Sequence, residues 1–224
     1  MALLVRSWNV FHGNTYPVGR RSRLEEMIRL ATADGPDVVC LQELGVWSLA
    51  RLEGWSGMHA ASAVARRPRL PAGLAGAITR LNQGFFRSAL EGQAQAILTR
   101  GPAESLGVLR VSEWGRELRI VNAVRYGGVV IGNVHATNDF RDPGVPRAEI
   151  ERASAFLDSL ARPGEPRILA GDFNLRDPAL PGPGIDQVVV SGADVTPLEV
   201  WPTARRSQNG AVLSDHAPIE SRVG

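Results

Sequence analysis

Four short apolar runs in this chain end in a small polar cluster, and that device limits the fold more than any other feature. "LVRSWN" runs into Asn9, "VVCLQE" into Gln42 and Glu43, "GVVIGNVH" into His135, and "RILAGDFN" into Asp172 and Asn174. "IDQVVV" repeats the pattern in reverse, opening on Asp186. Short apolar runs bounded by turn formers are strands buried in a sheet. Carboxylates, amides and imidazoles at the tips of such strands are costly to bury unless something compensates them. Strand tips gathered on one rim would form a site held by a rigid scaffold.

The stretches between these runs supply helices and turns. Residues 2–10 read as a strand that enters the turn-rich loop "NVFHGNTYPVG". Leu24, Met27, Ile28 and Ala31 recur at helical spacing within 20–33, and "DGPD" stops that helix. "LRIVNAV" and "GVVIGNVH", joined by "RYGG", predict a β-hairpin. A second amphipathic helix is expected over 147–161, with Ile150, Ala153, Leu157 and Leu160 on one face. Residues 65–92 stand apart as a helical insertion carrying Leu74, Ile78, Leu81 and Phe85, with Arg69, Arg80 and Arg87 elsewhere on it. It is either a surface helix packed on the scaffold or a lid. A length of 224 residues fits a single domain spanning 1–224.

Composition narrows the partners only slightly. The formal charge is +2, but all 25 basic residues are arginine, whose forked guanidinium matches phosphate oxygens. The lone Cys40 sits in an apolar run and reads as a small core residue, so no internal disulfide marks an oxidising compartment. No apolar stretch reaches the roughly 20 residues of a membrane span, and "MALLVRSWN" is too short for a signal peptide. A cytoplasmic location is expected, and nothing points to a protein partner.

The chemistry lies in the polar tips. In extended chain Asp172 and Asn174 leave on the same face, where a carboxylate and an amide can hold a water and a phosphoryl oxygen. An Asx-turn is the bland reading of the same pair. Glu43, set against four apolar residues, suits a hard cation that prefers oxygen ligands, and Asp215 can complete that arrangement. No zinc-spaced Cys/His cluster exists, so Mg2+ is expected, with Mn2+ as the substitute. His135 and His216, both beside polar residues at strand tips, suit a general base or a phosphate donor. His59 has no polar neighbour in sequence, and His12 is ambiguous. "LSDHAPIE", residues 213–220, reads as the opening of the last strand, which would send Asp215 and His216 to opposite sides.

"SWNVFHG", "LQE", "GNVHATND", "AGDFN", "GIDQVVV" and "SDHAPI" follow one another from residue 7 to residue 219. In that order they resemble the endonuclease/exonuclease/phosphatase superfamily, the deoxyribonuclease I-like group. The resemblance implies an α+β fold, a four-layer α/β/β/α sandwich. It implies Glu43 as a metal ligand with Asp215 as a further one, and Asn9 close to metal and phosphate. It also implies Asp172 and Asn174 as the pair that orients the attacking water, His135 and Asn138 on the phosphate side, and Asp186 behind His216. The chain departs from many relatives by offering Gln95 before "AIL", and only 11 residues separate Asn174 from Asp186.

The expected function is therefore Mg2+-dependent hydrolysis of phosphodiester bonds, first as a nuclease. The alternatives are a phosphodiesterase or phosphatase on a lipid head group, inositol phosphate or nucleotide, and a catalytically inactive binding module. For a nucleic-acid partner, Arg66, Arg67, Arg69, Arg80, Arg87, Arg205 and Arg206 could track a backbone. Trp47, Trp55, Trp114 and Trp201 could stack on bases, although partial burial in the core is the simpler expectation for each.

Overall fold

The structure, a computed structural model, describes residues 2–71, 74, 77, 90–114 and 117–224. Most of the expected 65–92 insertion, including Ile78, Arg80, Leu81, Phe85 and Arg87, lies outside the described residues. The first sheet contains β1 (Leu3–Asn9), β3 (Val38–Leu44), β4 (His59–Arg66), β5 (Gln93–Thr99), β11 (Glu199–Val200) and β14 (Ile219–Val223). Its order is β11-β14-β1-β3-β5-β4, with β1 and β3 parallel. The second sheet contains β6 (Glu104–Arg110), β7 (Ile120–Tyr126), β8 (Val129–His135), β9 (Arg167–Asp172) and β10 (Asp186–Ser191), in the order β10-β9-β8-β7-β6. A small third sheet joins β2 (Thr15–Tyr16), β12 (Ser207–Gln208) and β13 (Ala211–Leu213). Mixed sheets with few helices are what the resemblance implies.

Period-two alternation assigns the faces. Val5, Val38, Cys40 and Ile97 of the first sheet meet Val124, Ile131, Ile168, Ala170 and Val188 of the second, forming one core between the sheets. The alternate positions Trp8, Val39, Leu41 and Leu98 turn outward to a second core. There they meet Leu24, Met27, Ile28 and Ala31 of α1 (Leu24–Thr32), together with Leu52 of α2 (Leu52–Ser56). The outer face of the second sheet packs Val121, Val130, Val134 and Leu169 on Ala153 and Leu157 of α3 (Gly144–Leu160). The expected helical faces are thus present, and Cys40 is a core residue. α2 escapes a sequence reading because its five residues include a glycine and span barely more than one turn.

The hairpin between β7 and β8 closes on Gly127 and Gly128, both at positive φ, which only glycine adopts without strain. No described helix is long and apolar enough to cross a membrane.

Along the inner faces, polarity rises toward one rim. On β8 the inward residues are Ile131, then Asn133, then His135; on β3 they are Cys40, then Gln42. The middle layer is a buried amide network bridging the sheets. Gln42 Nε2 donates to Ser7 Oγ at 3.1 Å and to Asn133 Oδ1 at 2.7 Å. Asn133 Nδ2 donates to the Leu41 and Ala96 carbonyls at 2.9 and 3.0 Å. Gln95 Nε2 donates to Asn122 Oδ1 at 2.8 Å and to the Asn133 carbonyl at 2.6 Å. Gln95 therefore pins the two sheets together, below the rim. Paired in this way, buried amides fix a unique alignment of the sheets.

Candidate active site

The rim layer brings together tips from both sheets. β8 and β9 run parallel with His135 opposite Asp172, and β9 and β10 antiparallel with Asp172 opposite Asp186. Residues directly opposite one another project to the same side of a sheet. His135, Asp172 and Asp186 therefore form one row across three strands. Close strand approach makes this row possible. A side chain at Gly171 would put its Cβ 1.8 Å from the Val134 carbonyl oxygen, at φ 146°.

The first sheet contributes Asn9 and Glu43. Asn9 Nδ2 donates to Asp172 Oδ2 at 3.0 Å and to Glu43 Oε1 at 3.2 Å, so one amide bridges carboxylates from both sheets. Strict alternation from Leu41 would turn Glu43 toward the helices. The β3–β5 register shifts between Leu41 and Leu44, and Glu43 adopts φ 55°. This bulge sends the carboxylate back to the rim, the re-aiming that bulges provide. Glu43 Oε1 lies 3.8 Å from His135 Nε2, and Oε2 lies 3.6 Å from His12 Nε2. His12, ambiguous from sequence, is thus buried beside the site.

Two expectations about extended chain are corrected. Asn174 is not in a continuing strand: β9 ends at Asp172, and Asn174 sits at φ 48° with its N–H donating to Asp172 Oδ1 at 3.0 Å. The Asx-turn is real and belongs to the site, for it turns Asn174 so that Nδ2 donates to the Ala136 carbonyl just beyond His135. Likewise Asp215 and His216 do not open the last strand. β13 ends at Leu213, Ser214 takes φ 60°, and β14 begins only at Ile219. Pro218, which cannot donate a ladder hydrogen bond, precedes that start.

This bend is pinned on several sides. Ser214 Oγ donates to the Asn9 carbonyl at 2.7 Å and accepts from the His216 N–H at 3.1 Å. Arg206 Nη1 donates to the Ser214 carbonyl at 2.8 Å, and Trp8 Nε1 to the His216 carbonyl at 3.0 Å. Held there, the imidazole places Nδ1 2.8 Å from Asp186 Oδ2 and Nε2 3.8 Å from Asp172 Oδ2. Asp215 is exposed beyond His216, and no contact among the described residues joins it to Glu43. Asn138 is also exposed, on the loop after β8, and its side chain makes no hydrogen bond to a described residue.

Electrostatics give the three ionisable members different characters. Burial, followed by the facing Asp186 charge, raises Asp172 to about 7, against the opposing pull of His216 and the Asn9 amide. Burial alone would lower His216, but its hydrogen bond to Asp186 and the charges of Asp186, Asp172 and Asp215 outweigh that and hold it at about 10. His135 is driven well below the usual histidine range by burial and then by the Arg119 charge. The two imidazoles are therefore shifted in opposite directions.

Sequence reading assigned no role to Gln93, Arg119 or Ser214. Gln93 Nε2 and Arg119 Nη1 both approach His135 Nδ1, at 3.1 and 3.0 Å. The signal available for both was a polar residue at the mouth of an apolar run. Among the described residues, Asp172, Asp186 and His216 form the cluster that could hold a metal ion, their ligand atoms within 4.8 Å of one another.

The sequence model described as the Endonuclease/Exonuclease/phosphatase family matches residues 7–216. No curated protein sequence matches the chain significantly. Among solved structures, the chain is similar to a functionally unknown conserved protein from Enterococcus faecalis, with 18% identity, TM-score 0.70 and 99% of each chain covered. It is also similar to truncated Caenorhabditis elegans TDP2, with 15% identity, TM-score 0.68, and 100% of this chain and 97% of that one covered. The mannosyl-6-phosphatase Bt3783 of Bacteroides thetaiotaomicron shows 15% identity and TM-score 0.70, with 99% of each chain covered. At such identities these structures establish a shared fold.

Proposed function

This chain belongs to the endonuclease/exonuclease/phosphatase family, whose enzymes are phosphoester hydrolases, and we propose that it cleaves phosphodiester bonds with a bound divalent cation. Mg2+ is the ion we assign, with Mn2+ as its substitute. The observation that carries the reading is the pairing of His216, backed by Asp186 at 2.8 Å, with the buried Asp172 carboxylate 3.8 Å from its other ring nitrogen.

The donor set fits a hard cation. Glu43 and Asp172 share the single Asn9 amide, and Asp186 Oδ1 is buried with no hydrogen-bond partner among the described residues. Glu43 is the ligand we assign, with Asp215 a further one reached through retained water. A cation held there would polarise a phosphoryl oxygen and stabilise the leaving oxygen. Asp172, buried and oriented by Asn9 and by the Asn174 N–H, aligns the attacking water and accepts its proton. His216 Nε2, with Asp186 fixing the other nitrogen, donates to oxygen that gains charge in the transition state. His135 Nε2 and the amides of Asn138 and Asn174 bind the phosphate, while Asn9, whose two N–H donors go to Glu43 and Asp172, holds those carboxylates beside it.

For substrate, a nucleic acid is the first reading. Its support is Trp114, 90% exposed with the Arg110 guanidinium 4.2 Å from its ring centre. The other tryptophans and Arg205 are engaged internally. Trp201 is 2% exposed between Arg6 and Arg205, and Trp47 packs on Trp55. A smaller phosphoester is the second reading, favoured by a cavity of about 370 Å³ beside His216 and Asp186. Ile185, Val200, Ile219 and Arg176 are among the residues that line it. The buried, unpaired Cys40 suits the cytoplasm.

The test is hydrolysis of plasmid, single-stranded DNA, RNA and bis-p-nitrophenyl phosphate, each with Mg2+ and with EDTA. Mg2+-dependent cleavage of any diester supports the reading. Cleavage of the small diester with every nucleic acid left intact selects the second substrate class. No cleavage of any diester overturns both.

A further inference from the structure

We infer that Arg119, assisted by Gln93, is a positioning residue that locks His135 in a single tautomer, with its proton on Nε2. The argument starts from the hydrogen-bond inventory. Arginine has five N–H donors and no acceptor. Its Nη1 lies 3.0 Å from His135 Nδ1. A proton on Nδ1 would set N–H against N–H, so Nδ1 has to be the bare acceptor and Nε2 the protonated nitrogen. The Gln93 amide, 3.1 Å from the same atom, can be read either way round. The guanidinium cannot, and it decides the tautomer.

The clamp is assembled from both sheets. Gln93 opens β5 in the first, while His135 ends β8 in the second and Arg119 immediately precedes β7. All three are nearly enclosed, with Gln93 at 5%, Arg119 at 7% and His135 at 5% exposure. Arg119 is itself tied down. Its N–H donates to Ser112 Oγ at 3.0 Å, and its Nη2 pairs with Glu117 at 3.1 Å. The imidazole thus has one side fixed and the other directed into the site, with Nε2 3.6 Å from Asp172 Oδ2 and 3.8 Å from Glu43 Oε1.

The two histidines of the site are consequently wired with opposite polarity. His216 donates a hydrogen bond from Nδ1–H to Asp186, whereas His135 accepts at Nδ1 from Arg119 and Gln93. A histidine backed by a carboxylate gains basicity. One backed by a guanidinium presents its Nε2–H to the site as a donor for a phosphoryl oxygen. This separates phosphate binding from proton transfer.

The tautomer is read directly, without substrate, by 15N-resolved NMR of the histidine ring nitrogens in the wild type, Arg119→Met and Arg119→Lys. The wild type should show the one-bond proton coupling for His135 on Nε2 and not on Nδ1. Arg119→Met should mix the tautomers, and Arg119→Lys, which restores a donor, should return the wild-type pattern at least in part. On the diester substrate, Arg119→Met should lower kcat by roughly tenfold to a hundredfold, the usual range for losing a partner that orients a site histidine. A wild-type spectrum with the proton on Nδ1 overturns the inference even if the variants fail to fold. An Arg119→Met spectrum identical to the wild type also overturns it. The inference rests on the phosphodiesterase reading only for its kinetic arm, so a correct tautomer in a protein that cleaves no diester would refute that reading alone.

Discussion

Asp186 stands opposite Asp172 on the neighbouring strand and holds His216 Nδ1 at 2.8 Å, so one carboxylate controls both partners of the proton-transfer pair. It raises Asp172 by charge and raises His216 by hydrogen bonding. Removing it should therefore harm catalysis through both. Asp186→Asn and His216→Asn are each expected to lower kcat by roughly a hundredfold or more, as general acid–base losses do. Because the two residues act as a unit, the double variant should be little worse than the worse single one. Fully multiplicative losses in the steady-state kinetics would show that they act independently.

The same wiring makes stability depend on pH. Asp172 is raised from 3.8 to about 7, so it holds its proton more tightly folded than unfolded. Its contribution to stability is complete below about 4 and is lost as pH rises through about 7. His216 is raised from 6.5 to about 10, so its contribution is complete below about 6.5 and is lost as pH rises through about 10. Thermal unfolding of the metal-free protein should lose the first step in Asp172→Asn and the second in His216→Asn. Other carboxylates titrate across the acid range, so the quantity to compare is wild type minus variant at each pH. Parallel curves for wild type and Asp172→Asn between pH 4 and 7 would contradict the assignment.

Gly171 offers a purely steric test. The Cβ of Gly171→Ala would stand 1.8 Å from the Val134 carbonyl oxygen, at a φ of 146° that other residues avoid. Backbone has to move in the strand that bears Asp172, at an expected loss of more than about 3 kcal/mol. Urea unfolding monitored by tryptophan fluorescence measures it, and a midpoint close to wild type would show that β8 and β9 are less closely apposed.

The amide layer beneath the site should matter to folding more than to chemistry. Asn133→Leu removes the partner of Gln42 and the side-chain donor to the Leu41 and Ala96 carbonyls. A loss of about 2–4 kcal/mol is expected, since several buried groups lose a partner at once. The same urea titration reads it, and the activity of the folded fraction should persist.

Much of this architecture is legible in the chain because alternation and helical spacing are local. The inward set Val5, Cys40, Ile131 and Ala170 follows from counting in twos, and the buried face of α1 from counting in threes and fours. What counting cannot reach is any place where the backbone leaves its regular path. Glu43 enters the site through a bulge, and Asn174 and Ser214 at positive φ re-aim the chain. Straight extension therefore predicts the wrong course for 172–174 and 213–216. The partners of His135 were out of reach for another reason. Gln93 and Arg119 are separated from it by 42 and 16 residues, and meet it only because two sheets close on one rim. Trp114, expected to be partly buried like the other tryptophans, is instead open to solvent.

The most direct test of the central claim is the rate of diester hydrolysis by wild type, Asp172→Asn and His216→Asn, each with Mg2+ and with EDTA. The account predicts turnover that disappears with EDTA, returns with added Mg2+, and falls by roughly two orders of magnitude or more in each variant. Turnover that survives EDTA, or variants that cleave at the wild-type rate, would contradict it.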